Sequence, residues 1–144
     1  MPGKLNEKGE IASKVVHLSL ARRCGDFIFT SAVGPWGFDP TKATYDANGN
    51  LLDDGTGIKG VPFADQVHMT IANLRSVLES EGASLAHVAE CRVWLTRPAD
   101  FLVFNEIYRT YFTATPPTRS VFPQRFMFHC DIEMQAIAHM RPGG

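Results

Sequence analysis

Arg119 and Glu133 are the pair in this 144-residue chain whose types and spacing best suit chemistry. Arg119 follows Pro116-Pro117-Thr118, where two prolines fix φ and straighten the residues before them, so it stands at the entrance of a strand. Glu133 comes fourteen residues later, near the start of an alternating run. Ile132, Met134, Ala136, Ala138 and Met140 share one face of that run, and Asp131, Glu133, Gln135, Ile137 and His139 the other. A guanidinium fork binds a carboxylate through two parallel hydrogen bonds and keeps its charge at all relevant pH. A carboxyl beside it can orient water or carry protons, the more so when burial raises its pKa. Near the ends of neighbouring strands, the two can face a common cleft. The competing reading is a surface ion pair or two solvated charges, and the local sequence leaves both open.

Other chemistries find no residues to carry them. Gly34-Pro35-Trp36-Gly37 is no phosphate cradle, and neither a P-loop nor a dinucleotide fingerprint occurs. His17, His68, His87, His129 and His139 lack metal-ligand spacing, and no serine-hydrolase elbow is present. No metal and no cofactor are expected. A formal net charge of −1 gives no footprint for nucleic acid or an anionic membrane. There is no apolar run near 18 residues and no charged-then-apolar leader, so neither a membrane span nor a signal peptide is expected. Cys24, Cys91 and Cys130 are odd in number and widely spaced, as in a reduced, cytoplasmic protein. Cys91 reads as a small core hydrophobe.

The elements that must position Arg119 and Glu133 can be taken in order, as one domain over 1–144. Residues 1–13 are polar and non-periodic, a loosely held arm. Val15 to Leu20 reads as a strand, Arg22 to Asp26 as a turn and Phe27 to Ala32 as a second strand, making a hairpin. Ser31 is either a ligand-facing hydroxyl or a strand-end residue bonding its own backbone. Residues 34–61 are dense in turn formers, with a small hairpin expected through Asn48-Gly49. Trp36 and Phe38 there either pin the loop to the sheet or wall a pocket. Pro62 opens a helix with an apolar stripe of Phe63, Val67, Ile71, Leu74 and Leu78, and Gly82 stops it. A strand over 87–96 follows. Pro98 then opens a second helix with the stripe Phe101, Phe104, Tyr108 and Phe112, and Asn105 one residue off it. The order β-β-α-β-α-β-β predicts an α+β fold with two helices on one face of a mixed sheet. Two helices hide only one face, so self-association through the other is expected.

Four stretches carry a resemblance: Phe29-Thr30-Ser31; Gln66 through Asn73-Leu74 to Leu78 and Gly82; Asp100-Phe101 through Asn105-Glu106 to Tyr111-Phe112; and Pro117-Thr118-Arg119-Ser120 through Ile132-Glu133 to Ala138. In this order they resemble the Rid (YjgF-type) family of enamine/imine deaminases over roughly residues 15–140. The resemblance implies a homotrimer of chorismate-mutase-like subunits with clefts between them. It also implies hydrolysis of reactive 2-imino or enamino acids to 2-oxo acids and ammonia. Arg119 would anchor the substrate carboxylate and Glu133 would handle water and protons, while Asn105, Ser31 and the backbone at Val121 complete the cleft. The chain departs from the family pattern in several places. Val121 stands where many active members carry a cysteine, His17-Leu18 where they carry a tyrosine, and Ala32 where they carry a glycine. The loop 39–60 looks expanded and contains little to bury. Val121, Phe126, Phe128 and Trp36 suit a larger or less polar imine. Alternatives are a dedicated catabolic deaminase of the 2-aminomuconate type and a non-catalytic trimer binding small carboxylates or a partner. The ribonuclease label attached to some relatives finds little support in so weakly charged a chain.

Overall fold

A computed structural model describes residues 18–35 and 44–141. Its centre is a five-stranded sheet of order β1-β2-β7-β5-β6, formed by β1 (Ala21–Cys24), β2 (Phe27–Thr30), β5 (Val88–Leu95), β6 (Thr118–Pro123) and β7 (Ile132–His139). A separate two-stranded hairpin pairs β3 (Thr44–Tyr45) with β4 (Leu51–Asp53). Helices α1 (Phe63–Ser80) and α2 (Phe101–Tyr111) complete the fold.

The expected element order holds, with one shift at the start. The first strand lies at Ala21–Cys24, where the sequence suggested a turn, and the turn shrinks to Gly25-Asp26. Cys24 pairs with Phe27, so only two residues connect the strands, and Gly25 takes the positive φ of 61° that such a tight connection demands. The strand expected over Val15–Leu20 falls partly outside the described residues.

Helix α1 starts after Pro62 and ends before Gly82, whose φ of 79° lets the chain leave the helix. Val67, Ile71, Leu74 and Leu78 are fully buried, each contributing about 1.5–3 kcal/mol of hydrophobic stabilisation. They pack against Ile28, Val93, Ile132, Met134, Ala136 and Ala138 on one sheet face. The stripe of α2 buries Phe104, Tyr108 and Phe112 in the same core, while Phe101 stays 38% exposed at the rim. Cys91 sits in this core, and burial pushes its thiol up to about 11, as suits a packing residue.

Strand β7 takes the centre. It runs antiparallel to both β2 and β5, while β5 and β6 run parallel across the α2 crossover. The chain therefore returns from edge strand β6 to the middle of the sheet. The sheet face away from the helices presents Phe27, Phe29 and Phe122, between 43% and 45% exposed.

Candidate functional site

Alternation along the strands assigns every candidate residue to a side of the sheet. Arg119 pairs with Cys91, and Val121 with Val93, so both point to the helix face at the β6 edge. Glu133 pairs with Trp94 and lies on the opposite, open face. The expectation of neighbouring strands facing a common cleft does not hold within one chain, because β5 intervenes. At strand spacing the two backbones are about 10 Å apart laterally, and the offset from Cys91 to Trp94 adds about 10 Å along the strands.

On the helix face, the Arg119 guanidinium lies over the stripe of α2. Its central carbon is 4.6 Å from the ring centre of Tyr108, 5.4 Å from Phe104 and 5.8 Å from Phe101. Each such contact is worth about 0.5–2 kcal/mol and fixes direction without consuming the fork's donors. No carboxylate pairs with Arg119 among the described residues. Tyr108 is buried, its hydroxyl faces the Cys91 thiol, and burial raises its phenol above the usual range. Beside Arg119 runs a groove of about 340 Å³ lined by Leu95, Pro98, Phe101, Val121, Phe122 and Pro123. Asn105 is half-buried on α2, and its amide makes no hydrogen bond among the described residues.

On the open face, Glu133 and Ala32 line a cleft of about 280 Å³. Trp94 forms another side, and the loop between β6 and β7 supplies Gln124 to Phe128. Burial raises the Glu133 carboxyl above its usual 4.5, so it can hold or release a proton nearer neutrality. No cation pairs with Glu133 among the described residues. Arg125 reaches the same cleft.

The remaining candidates are more peripheral. Ser31 donates its hydroxyl to the Ser19 carbonyl at 2.7 Å, while its N–H bonds Leu20 at 2.9 Å, the backbone role weighed for it above. Leu18 is 49% exposed. Trp36 lies outside the described residues. The structure thus puts Arg119 and Val121 on the β6 edge and Glu133 with Ala32 on the open face, while Asn105 stays on α2 with no contact that joins it to either group among the described residues.

Sequence reasoning missed the ring platform beneath Arg119 and a polar clamp behind the Glu133 cleft. Asp54, only 1% exposed, accepts hydrogen bonds from the backbone of His129 and from Thr56. Gln66 bonds both the backbone and the side chain of Asp131. The expectation that residues 39–60 bury little is thereby corrected: Asp54, Thr56 and Ile58 are all buried, Ile58 to 3% exposure. Among the described residues, no cluster of His, Cys, Asp or Glu could hold a metal ion, and no helix is long and apolar enough to cross a membrane.

A mixed sheet with two helices on one face is an architecture that known proteins share. The family model described as Endoribonuclease L-PSP matches residues 13–140, and the chain belongs to this family, the one the Rid (YjgF-type) resemblance pointed to. A RutC family protein of Pyrococcus abyssi is 34% identical over 122 residues, covering 84% of this chain and 84% of that protein. Reactive Intermediate Deaminase A of Arabidopsis thaliana, a chloroplastic protein, is 33% identical over 75 residues, covering 51% of this chain and 40% of that one. TdcF of Escherichia coli is 28% identical over 113 residues, 74% of this chain and 88% of its own. Its structure with bound serine superposes with a TM-score of 0.67 at 24% identity, covering 86% of this chain and 88% of that chain.

Proposed function

We propose that this protein deaminates reactive 2-imino and enamino acids, in sites built where one protomer's β6 edge meets the open face of the next. Glu133 carries this reading: its carboxyl is raised by burial, lines a cleft and has no cation paired to it among the described residues. Arg119 supplies the complement, a guanidinium aimed by three rings and free to take a substrate carboxylate through its fork. Because the two lie on opposite faces of one sheet, a site holding both needs two chains. The exposed phenylalanines of the open face support such self-association, and the family resemblance makes the assembly a homotrimer. A cytoplasmic setting is the reading of the three widely spaced cysteines, since such thiols suit a reducing compartment.

An enamine first tautomerises to its imine. Arg119 anchors the carboxylate, which fixes the C=N carbon beside Glu133 of the neighbouring protomer. The Glu133 carboxylate takes a proton from water as its oxygen adds to the carbon of the protonated imine, giving a tetrahedral carbinolamine. The protonated carboxyl then passes that proton to the amine nitrogen, and as the C–N bond breaks the carboxylate takes the hydroxyl proton, so a 2-oxo acid and ammonia leave and the last proton returns to solvent. Imines hydrolyse slowly on their own, so positioning supplies much of the acceleration. By the family resemblance, Asn105, Ser31 and the backbone at Val121 complete the cleft.

The bound serine of TdcF, a small amino acid, fits this chemistry by analogy. Arg125 in the Glu133 cleft favours a second reading, a dedicated deaminase for a diacid of the 2-aminomuconate type. The family's endoribonuclease description fits this chain less well: its net charge of −1 offers no cationic track for RNA phosphates.

The test is ammonia release from freshly generated 2-iminopropanoate. Arg119→Lys keeps the charge but loses the fork, and kcat/KM should fall at least about tenfold. Glu133→Gln should lower kcat while leaving affinity for a 2-oxo acid level. Wild-type rates in both variants would sink the assignment and leave a non-catalytic carboxylate binder. Faster release from 2-aminomuconate than from 2-iminopropanoate would select the diacid reading.

A further inference from the structure

The wall of the Glu133 cleft has an unusual anchorage. Gln124 to Phe128 line it, yet the backbone of residues 125–127 makes no hydrogen bond among the described residues. Their course is set by posts at either end. At the near end the Gln124 N–H donates to the Leu95 carbonyl at 2.8 Å. At the far end stands Asp54, a buried carboxylate that reaches across from the residues following β4.

Asp54 is nearly saturated with partners. It accepts the Thr56 N–H at 2.9 Å, the Thr56 hydroxyl at 2.8 Å and the His129 N–H, and the His129 ring nitrogen lies 3.3 Å away. Burial alone would push its carboxyl up, but the hydrogen bonds from His129 and Thr56 outweigh that and hold it below the usual value. A buried charge so fully satisfied defines one loop position, because any other leaves the carboxylate unpaired at high cost. Just beyond, Gln66 closes on Asp131 from both sides, and Thr96 bonds the carbonyls of Cys130 and Asp131, so the chain past His129 is fixed whatever Asp54 does.

We infer that Asp54 is a positioning residue for side-chain selection: it holds the Phe126-Met127-Phe128 wall against Glu133 and so sets the shape of the substrate pocket. The inference rests on the deaminase reading for its substrate but not for its mechanics. Asp54 touches neither Glu133 nor Arg119 in any recorded contact, so its loss should alter which imines fit rather than the chemical step. The acceptor series of choice is 2-imino acids of increasing apolar side chain, since the wall is aromatic and aliphatic.

The experiment compares the wild type with Asp54→Asn, which keeps the shape but loses the charge and one acceptor. Two readouts are taken on the assembled protein. Exchange of the His129 amide hydrogen, the loop N–H that Asp54 holds, should speed about tenfold while β7 stays protected, in proportion to one lost charge-assisted hydrogen bond. KM for the bulkier imines should rise by a similar factor, with kcat within about twofold and 2-iminopropanoate little affected. Should Asp54→Asn not fold, His129→Ala keeps the N–H bond, loses the ring and should give a smaller shift of the same pattern. Unchanged loop exchange, or equal losses of kcat for small and large imines, would overturn the inference. If the wild type releases no ammonia at all, the deaminase reading fails separately, and the exchange data still decide the role of Asp54.

Discussion

The placement of Arg119 and Glu133 on opposite faces of one sheet makes a quantitative prediction about mixed assemblies. Arg119→Ala and Glu133→Gln each remove one group from every site, so each variant alone should be nearly inactive. When the two chains assemble at random in equal amounts, a site is whole only where its arginine comes from the Glu133→Gln chain and its glutamate from the Arg119→Ala chain. For a head-to-tail ring that chance is about one in four, whatever the number of subunits. Ammonia release should therefore recover to about a quarter of wild type on mixing. Selecting hybrids with two affinity tags should raise it to about a third, because a hybrid ring of three holds one whole site. The assay is co-expression, native mass spectrometry to verify hybrids, and ammonia release from 2-iminopropanoate. Verified hybrids no more active than their parents would refute the two-chain site, since a pair serving one site from the same protomer cannot be rescued.

Three further expectations concern acidity and stability. Since burial raises the Glu133 carboxyl above 4.5 and the base must be ionised, kcat/KM should fall as pH drops through that raised value, and Glu133→Gln should lack this limb. The stability term has the opposite sense: ionising a carboxyl that the fold prefers protonated costs stability as pH rises past 4.5, so Glu133→Gln should melt above the wild type at pH 7. In the segment following β4, Ile58→Ala empties a site only 3% exposed and should cost about 2–4 kcal/mol, or about 10 °C in Tm by calorimetry. An unchanged Tm would show that this segment is not part of the packed structure.

What the sequence made legible follows from periodicity. The stripe of α1 and the alternation of β7 were readable because each buries one face against a continuous core: Val67, Ile71, Leu74 and Leu78 are buried as expected, with Gln66, Thr70 and Val77 buried beside them, and Ile132, Met134, Ala136 and Ala138 are buried on β7. Pro62, Gly82 and Pro98 marked boundaries through fixed or permissive φ. Strand β6 was harder, since Arg119, Val121 and Phe122 are all at least partly exposed at an edge and no alternation fixes their side. That is why the relation of Arg119 to Glu133 escaped: the side of β7 could be read, but not the side of β6 or the insertion of β5 between them. The clamp at Asp54 escaped for another reason. Its partner His129 lies in a sequence-distant loop, and an aspartate among turn formers looks solvated until the fold buries it.

The edges of the sheet bear on how the chain avoids open-ended aggregation. At one side β1 is four residues long and carries Arg22 and Arg23, which discourage a further strand through charge and brevity. At the other, Pro116 and Pro117 precede β6 and Pro123 closes it, so a strand added there meets missing N–H donors at the end of a six-residue register. An edge that cannot extend by backbone pairing can still dock through its side chains. The prolines thus weigh against fibre-like growth from this edge, because each strand added to it would leave backbone acceptors unpaired.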